Sequence, residues 1–200
     1  MNFLKLIFAY GNGNMPYYEI GRRDYYKQRL FPKEPESLRT IFNYKLDLKI
    51  EFPFAINGLQ FDQIVNQELL IEKFGKPRFT LSSFDKEERK IITETLFYKW
   101  NTRTDKTIVQ FTFFENNFLS CCFEVRSLEA LYTTKTLFKN ILGDSTVSFH
   151  NTKDIYATDS NHYRLHLNFG VTPRITIVSP EVLDSYIERN YQEEKIKKGY

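Results

Sequence analysis

The stretch LLIEKFGKPRFTLSS, residues 69–83, decides how the chain is built. Ile64 and Val65 ahead of it, and Leu69, Ile71 and Phe74 within it, recur at roughly helical spacing. Asp62 suits the N-cap of a helix over residues 62–74. Gly75 then fits the position just past a helix end, where a positive φ is wanted, and Pro77 cannot continue the helix. A glycine beside a lysine also raises the idea of a phosphate cradle. Order along the chain excludes it, because phosphate loops precede a helix and so aim N–H groups and the positive dipole end at the anion. Here the helix comes first, and Lys76 and Arg78 suit its negative end. The stretch is the end of a helix and the entry to a sheet.

Working outward, YKLDLKIEF (44–52) alternates cleanly. Leu46, Leu48, Ile50 and Phe52 share one side and Lys45, Asp47, Lys49 and Glu51 the other, which predicts a strand with one wet face. Pro53 ends it and Asn57-Gly58 supplies a turn. FDKEERK (84–90) reads as a charged surface loop. IITETLFYKW (91–100), KTIVQFTFF (106–114) and FLSCCFEV (118–125) read as strands, the last two joined at Glu115-Asn116-Asn117. Alternation puts Val109, Phe111 and Phe113 on one face, and likewise Leu119, Cys121, Phe123 and Val125.

TTKTLFKNILGDSTVSFH (133–150) repeats the logic of the opening stretch. Leu137, Phe138, Ile141 and Leu142 make an apolar stripe that Gly143 stops, and strands follow at 147–150, 162–169 and 174–179. Setting Gly143 beneath Gly75 aligns Leu70 with Phe138, Phe74 with Leu142 and Phe79 with Val147. Ser179, Pro180, Glu181 and Asp184 open a C-terminal helix whose apolar face is Val182, Leu183, Tyr186, Ile187 and Tyr191, with a fraying tail. The expected fold is therefore α+β: antiparallel meander sheet with helices on one face, in two tandem α-β-β-β units. Residues 1–43 form an N-terminal arm with a turn at Pro32 and Pro35; residues 44–126 and 127–200 form the two units, or one continuous domain.

Nineteen Phe and 13 Tyr can fill a substantial core, which excludes a disordered chain. A net charge of +3 imposes no global field for nucleic acid. Cys121 and Cys122 are the only cysteines; as neighbours on a strand they point to opposite faces and suit a reducing compartment. No apolar run approaches a membrane span, and Lys5 interrupts the short apolar start, so the expectation is a cytoplasmic chain without membrane contact.

Candidate chemistry is sparse. His162 and His166 have helical metal-ligand spacing, but Tyr163, Leu165, Leu167 and Phe169 alternate as a strand, which sets the two histidines too far apart for one ion. His150 adds no cluster. Asp154 and Asp159 lie in NTKDIYATDSN, which lacks the spacing of a calcium loop and reads as a polar hairpin loop. Neither metal nor cofactor is expected. An enzyme alternative would assemble a site from His166, Glu124 and Tyr163. Cys122 beside Glu124 lacks the base a catalytic thiol needs. A nucleic-acid alternative rests on Arg22, Arg23, Tyr25, Tyr26, Lys27 and Arg29, where cations and aromatic rings interleave.

The run from Asn57 to Val125, with Phe74-Gly75-Lys76-Pro77, the aromatic Tyr98 and Trp100, and the Glu115-Asn116-Asn117 tip, resembles a known unit. It is the helix–Gly-x-Pro–three-strand unit of the β-lactamase-inhibitor-protein-like fold, shared by small lipoproteins of outer-membrane assembly. It departs from those lipoproteins in that neither a lipobox nor a signal peptide is expected from its residues. The chain is also similar to bacterial immunity proteins that neutralise toxins. The resemblance implies binding of another protein, as an inhibitor or immunity factor, through the sheet face and its loops, without catalysis. On that reading the wet face carries Tyr98 or Lys99, Arg103, Gln110, Thr112 and Glu124.

Overall fold

The computed structural model describes residues 21–31, 35–46, 48–64, 66–85, 90–101, 106–124, 154–168 and 174–198. The chain divides into two compact units, Met1–Leu30 and Phe31–Tyr200. In the first, helix α1 spans Arg22–Arg29, with Asp24 in its first turn and Lys27 and Arg29 in its last, the order its dipole favours.

The second unit opens with α2, Pro35–Asn43, which buries Leu38 and Ile41. Pro35 starts this helix rather than closing a turn, since proline has no N–H to lose at a first helical position. The strand expected over 44–52 shrinks to β1, Leu48–Lys49, which among the described residues pairs only with the short β8, Ile155–Thr158. One more bond follows, from the Ile50 N–H to the Thr158 carbonyl at 2.7 Å, before the chain bends. A small hairpin, β2 (Ala55–Ile56) and β3 (Leu59–Gln60), turns at Asn57 and Gly58 with φ of 49° and 78°, as their sequence indicates.

Helix α3 is Gln67–Phe74, shorter than its periodicity suggested. Asp62 belongs instead to a separate 3-10 turn, Phe61–Gln63, and accepts from Asn161 Nδ2 at 2.8 Å. The N-cap is Asn66, whose Oδ1 accepts the Leu69 N–H at 3.1 Å. The chain breaks between the two because Phe61 and Ile64 both turn into the core. At the other end Gly75 stops α3 at φ 77° and ψ −171°, its N–H bonded to the Ile71 carbonyl at 2.8 Å. Nothing lies within 4 Å of where a Cβ would stand, so glycine is needed here for its dihedrals and not for space.

Strands β4 (Phe79–Asp85), β5 (Lys90–Asn101), β6 (Lys106–Phe114) and β7 (Asn117–Glu124) form the antiparallel meander that the sequence indicates. Phe84, Asp85 and Lys90 are strand rather than loop. The β6–β7 turn places Glu115 and Asn116 at φ 47° and 67°. Later come β9 (Arg164–Asn168) and β10 (Arg174–Val178), then α4, Leu183–Lys198, which continues through most of the tail expected to fray. Ser179 Oγ accepts the Glu181 N–H at 3.3 Å in the turn that leads into α4.

Among the described residues, ten strands make one eight-stranded sheet, in the order β1-β8-β9-β10-β7-β6-β5-β4, and the small β2-β3 pair. The sheet is mixed, since β1 and β8 run parallel. The two expected tandem meanders are therefore not separate: β7 pairs with β10 and fuses them. The helix expected near 133–143 and the strand at 147–150 lie outside the described residues. The supposed loop around Asp154 contains β8, whose Ile155 and Ala157 alternate with Tyr156 and Thr158.

Both faces are covered, not one. The first packs Phe54, Phe61, Leu70, Leu96, Phe111, Phe123, Leu165 and Ile175 beneath α3 and the small hairpin. The second packs Leu38, Ile41, Ile92, Phe114, Leu119, Val178 and Leu183, drawing in α2 and α4. Leu119 reaches this second layer through a bulge. Thr112 pairs with Ser120 and Phe113 with Phe118, so Leu119 is an extra residue. It leaves the face of Cys121 and Phe123, where strict alternation would keep it.

Candidate functional site

Polar side chains on the second face line up across five strands. Gln110, Cys122, Thr176, His166 and Tyr156 are successive cross-strand neighbours on β6, β7, β10, β9 and β8. The first three are only about 1% exposed, so this is not a wet face. Gln110 and Thr176 are satisfied inside the protein, as buried polar atoms require. Gln110 Oε1 accepts the Phe31 N–H at 3.0 Å, and Thr176 Oγ1 donates to Cys122 Sγ at 3.7 Å. His166 Nε2 lies 3.0 Å from Asp154 Oδ2 and stacks on Tyr156, which stacks on Tyr44. One row along, Arg174 Nη2 meets Glu124 Oε1 at 2.7 Å under the Phe31 ring, whose centroid is 3.9 Å from the guanidinium carbon.

This arrangement holds a fold together more than it activates a reagent. Burial pushes the Cys122 thiol up to about 12 against the opposing Thr176 hydrogen bond, and burial pushes Cys121 well up too. Both sulfurs are protonated at neutral pH, whereas a nucleophile needs thiolate. The residues of the enzyme alternative are not brought together. His166 pairs with Asp154 and Glu124 with Arg174. Tyr163 is buried in the first-face core, donates to the Phe61 carbonyl at 3.4 Å and is pushed up to about 12 by burial. His162 stands exposed at φ 66°. Among the described residues, no three His, Cys, Asp or Glu gather as a metal site.

The residues placed on a wet face are divided. Tyr98 is 4% exposed in the first-face core, its hydroxyl pushed up to about 12 by burial. Gln110 is buried on the second face, and Thr112 is half-buried there, 3.2 Å from Thr95 Oγ1. Lys99 is exposed, Glu124 is half-buried against Arg174, and Arg103 lies outside the described residues. In α1, Arg22, Arg23 and Lys27 are exposed, but the tyrosines are occupied. Tyr26 is buried, Tyr25 meets it edge-on at 5.1 Å, and the Arg29 guanidinium lies 4.6 Å over Tyr25.

Two features escaped the sequence reading. One is Asp159, only 2% exposed, whose carboxylate accepts N–H groups from Phe54 (2.8 Å), Tyr163 (2.9 Å) and Asn161 (3.0 Å). It ties the segment after β1 to the β8–β9 turn. The other is an exposed apolar pair, Phe84 (56%) and Ile91 (49%), directly opposite each other on β4 and β5. Ile91 also lines a shallow groove of about 370 Å³ with Gln67, Lys90, Glu94, Glu115 and Asn116. Glu94 accepts from Gln67 Nε2 at 2.6 Å and Ser82 Oγ at 3.1 Å, and Lys90 Nζ bonds Glu115 Oε1 at 2.9 Å, so the groove wall is fixed by its own polar contacts. The charged run after Phe84 made that residue read as loop, so its pairing with Ile91, itself read as strand, was hidden.

Fold and surface together define an α+β protein with a doubly covered mixed sheet and an apolar, charge-rimmed groove near one sheet edge. No described helix is long and apolar enough to cross a membrane, which leaves β-barrel spans unaddressed. Comparison with family models, with curated proteins and with solved structures finds no match.

Proposed function

We propose that this chain acts by binding another protein, as an inhibitor or immunity-type factor, and not by transforming a substrate. The observation that carries the reading is the Phe84–Ile91 pair beside the charge-rimmed groove. An exposed apolar pair with a polar rim is the common anatomy of a recognition surface. The two large side chains supply apolar area, and the Lys90–Glu115 pair and Asn116 supply orientation at the rim. The ionisable groups that a catalytic reading needs are committed to partners, His166 to Asp154 and Glu124 to Arg174.

The test compares wild type with Phe84→Glu and Ile91→Glu in chemical cross-linking and affinity recovery from the native host. A protein recovered by wild type and lost from both variants, with unchanged circular dichroism, supports the reading. Equal recovery by all three proteins, or none by wild type, defeats it.

A further inference from the structure

Three charged residues line the groove beside Ile91, and two of them answer each other across its rim, where Lys90 Nζ bonds Glu115 Oε1 at 2.9 Å. Glu94 differs. Its register sets it between Ser82 on β4 and Phe113 on β6, so it stands half-buried at the margin of the first-face core. Both of its hydrogen bonds come from neutral groups. Oε2 accepts from Gln67 Nε2 at 2.6 Å and Oε1 accepts from Ser82 Oγ at 3.1 Å. Among the described residues, no cation meets this carboxylate. A charge drawn partly out of water ordinarily has a counter-charge.

We propose that Glu94 is the recognition point for an arginine side chain of the partner protein, its stem laid along Ile91 and its guanidinium set against the carboxylate. The inference rests on the protein-binding reading above and names what the partner brings to the groove. Acceptor capacity points to arginine. A carboxylate offers about four lone-pair positions. Gln67 and Ser82 take one on each oxygen, so each oxygen keeps room for one more donor, which matches the paired N–H groups of a guanidinium. A lysine ammonium is a compact point charge without that planar fork.

The carboxylate is also set in place before anything binds. Gln67 opens α3 and Ser82 belongs to β4, so two separate elements hold it. Little side-chain ordering then remains to weaken association. The apolar surroundings suit the rest of the side chain. Ile91 lies exposed in the same groove and can cover the methylene stem, and Phe84, directly opposite Ile91, offers its ring to an apolar neighbour of the arginine. The Lys90–Glu115 pair is neutral as a unit, which leaves Glu94 as the charge that a partner must match.

Nuclear magnetic resonance titration of the isotope-labelled full chain tests this with three probes: leucyl-arginine, leucyl-lysine and leucyl-citrulline, each acetylated and amidated. The arginine probe should move the backbone amide resonances of Ile91, Glu94 and Asn116. It should bind roughly tenfold or more tighter than its neutral citrulline counterpart, with lysine between them. Added salt should narrow that advantage. Equal binding of the arginine and citrulline probes, or binding by none of the three, overturns the proposal; lysine binding tighter than arginine overturns the guanidinium. Glu94→Gln should bring the arginine probe down to the citrulline level, while Glu115→Gln should leave its advantage in place, and the reverse result overturns Glu94 as the site. If Glu94→Gln loses its circular dichroism, the wild-type resonances decide alone, and shifts that avoid Ile91 and Glu94 overturn the site. Failure here is separate from failure of the reading beneath it. A host protein lost from Phe84→Glu, without any arginine preference, keeps that reading and overturns this proposal. An arginine preference lost in Glu94→Gln, with no host protein recovered, defeats that reading and leaves the Glu94 site standing.

Discussion

At one end of the eight-stranded sheet, β1 pairs for two residues, exposes Lys49 and bends away before Pro53; at the other, β4 runs seven residues and keeps charge, glycine and proline out of Phe79–Ser83. The two ends are also held differently. The first is tied down by a buried carboxylate, because Asp159 accepts the Phe54 N–H and so fixes the chain just beyond β1. The second is delivered by a backbone conformation, because Gly75 turns α3 into the approach to β4. One end is thus anchored by side-chain chemistry and left short, the other set by a glycine and left long.

The largest expected effect breaks the first end. Asp159→Ala leaves three N–H groups without their acceptor, and the chain should lose about 3–5 kcal/mol of stability by denaturant titration. Next is the second end: φ 77° with ψ −171° is a region essentially reserved for glycine, so Gly75→Ala should cost about 1–3 kcal/mol in the same assay. Smallest is Lys49→Val, which removes the charge from the short edge. It should change stability by less than about 0.5 kcal/mol and leave sedimentation unaltered, because two residues are too few to template a strand. Self-association gained by that variant would show that charge, not length, guards the edge.

A pH dependence sharpens the contrast. Burial raises the Asp159 carboxyl above its ordinary 3.8, outweighing the N–H donors from Phe54, Tyr163 and Asn161 that favour the anion. The folded chain then holds this proton to higher pH than the unfolded chain does. The associated stability is fully present below 3.8 and is lost as pH rises through the folded value. Thermal melts across about pH 3–7 should show that slope in wild type and its loss in Asp159→Asn.

Local signals were legible. Lys106–Phe114 was readable to the residue, and so were the helix stop at Gly75 and the turn at Asn57-Gly58, because period and turn chemistry are written in neighbouring residues. What depended on distant partners was not. Strand β8 hid between Asp154 and Asp159, whose charges imply a loop until His166 and the Phe54 N–H are seen to meet them. The second face looked wet because Gln110, Thr112 and Glu124 are polar; α2, α4 and cross-strand hydrogen bonding leave Gln110 dry and the other two half-buried. A one-residue bulge moved Leu119 across the sheet, and no alternation pattern announces that. Of the residues expected at a binding face, Tyr98 and Gln110 were misplaced for the same reason: polarity and ring size do not say which side of a doubly covered sheet meets water.

Cys121 and Cys122 are consecutive, yet one sulfur is sealed in the first layer and the other in the second, beneath a threonine hydroxyl. The pair is a built-in stopwatch with two hands. A thiol-labelling reagent can reach each sulfur only when its own layer opens, so the order in which they are modified under native conditions reports which layer breathes first.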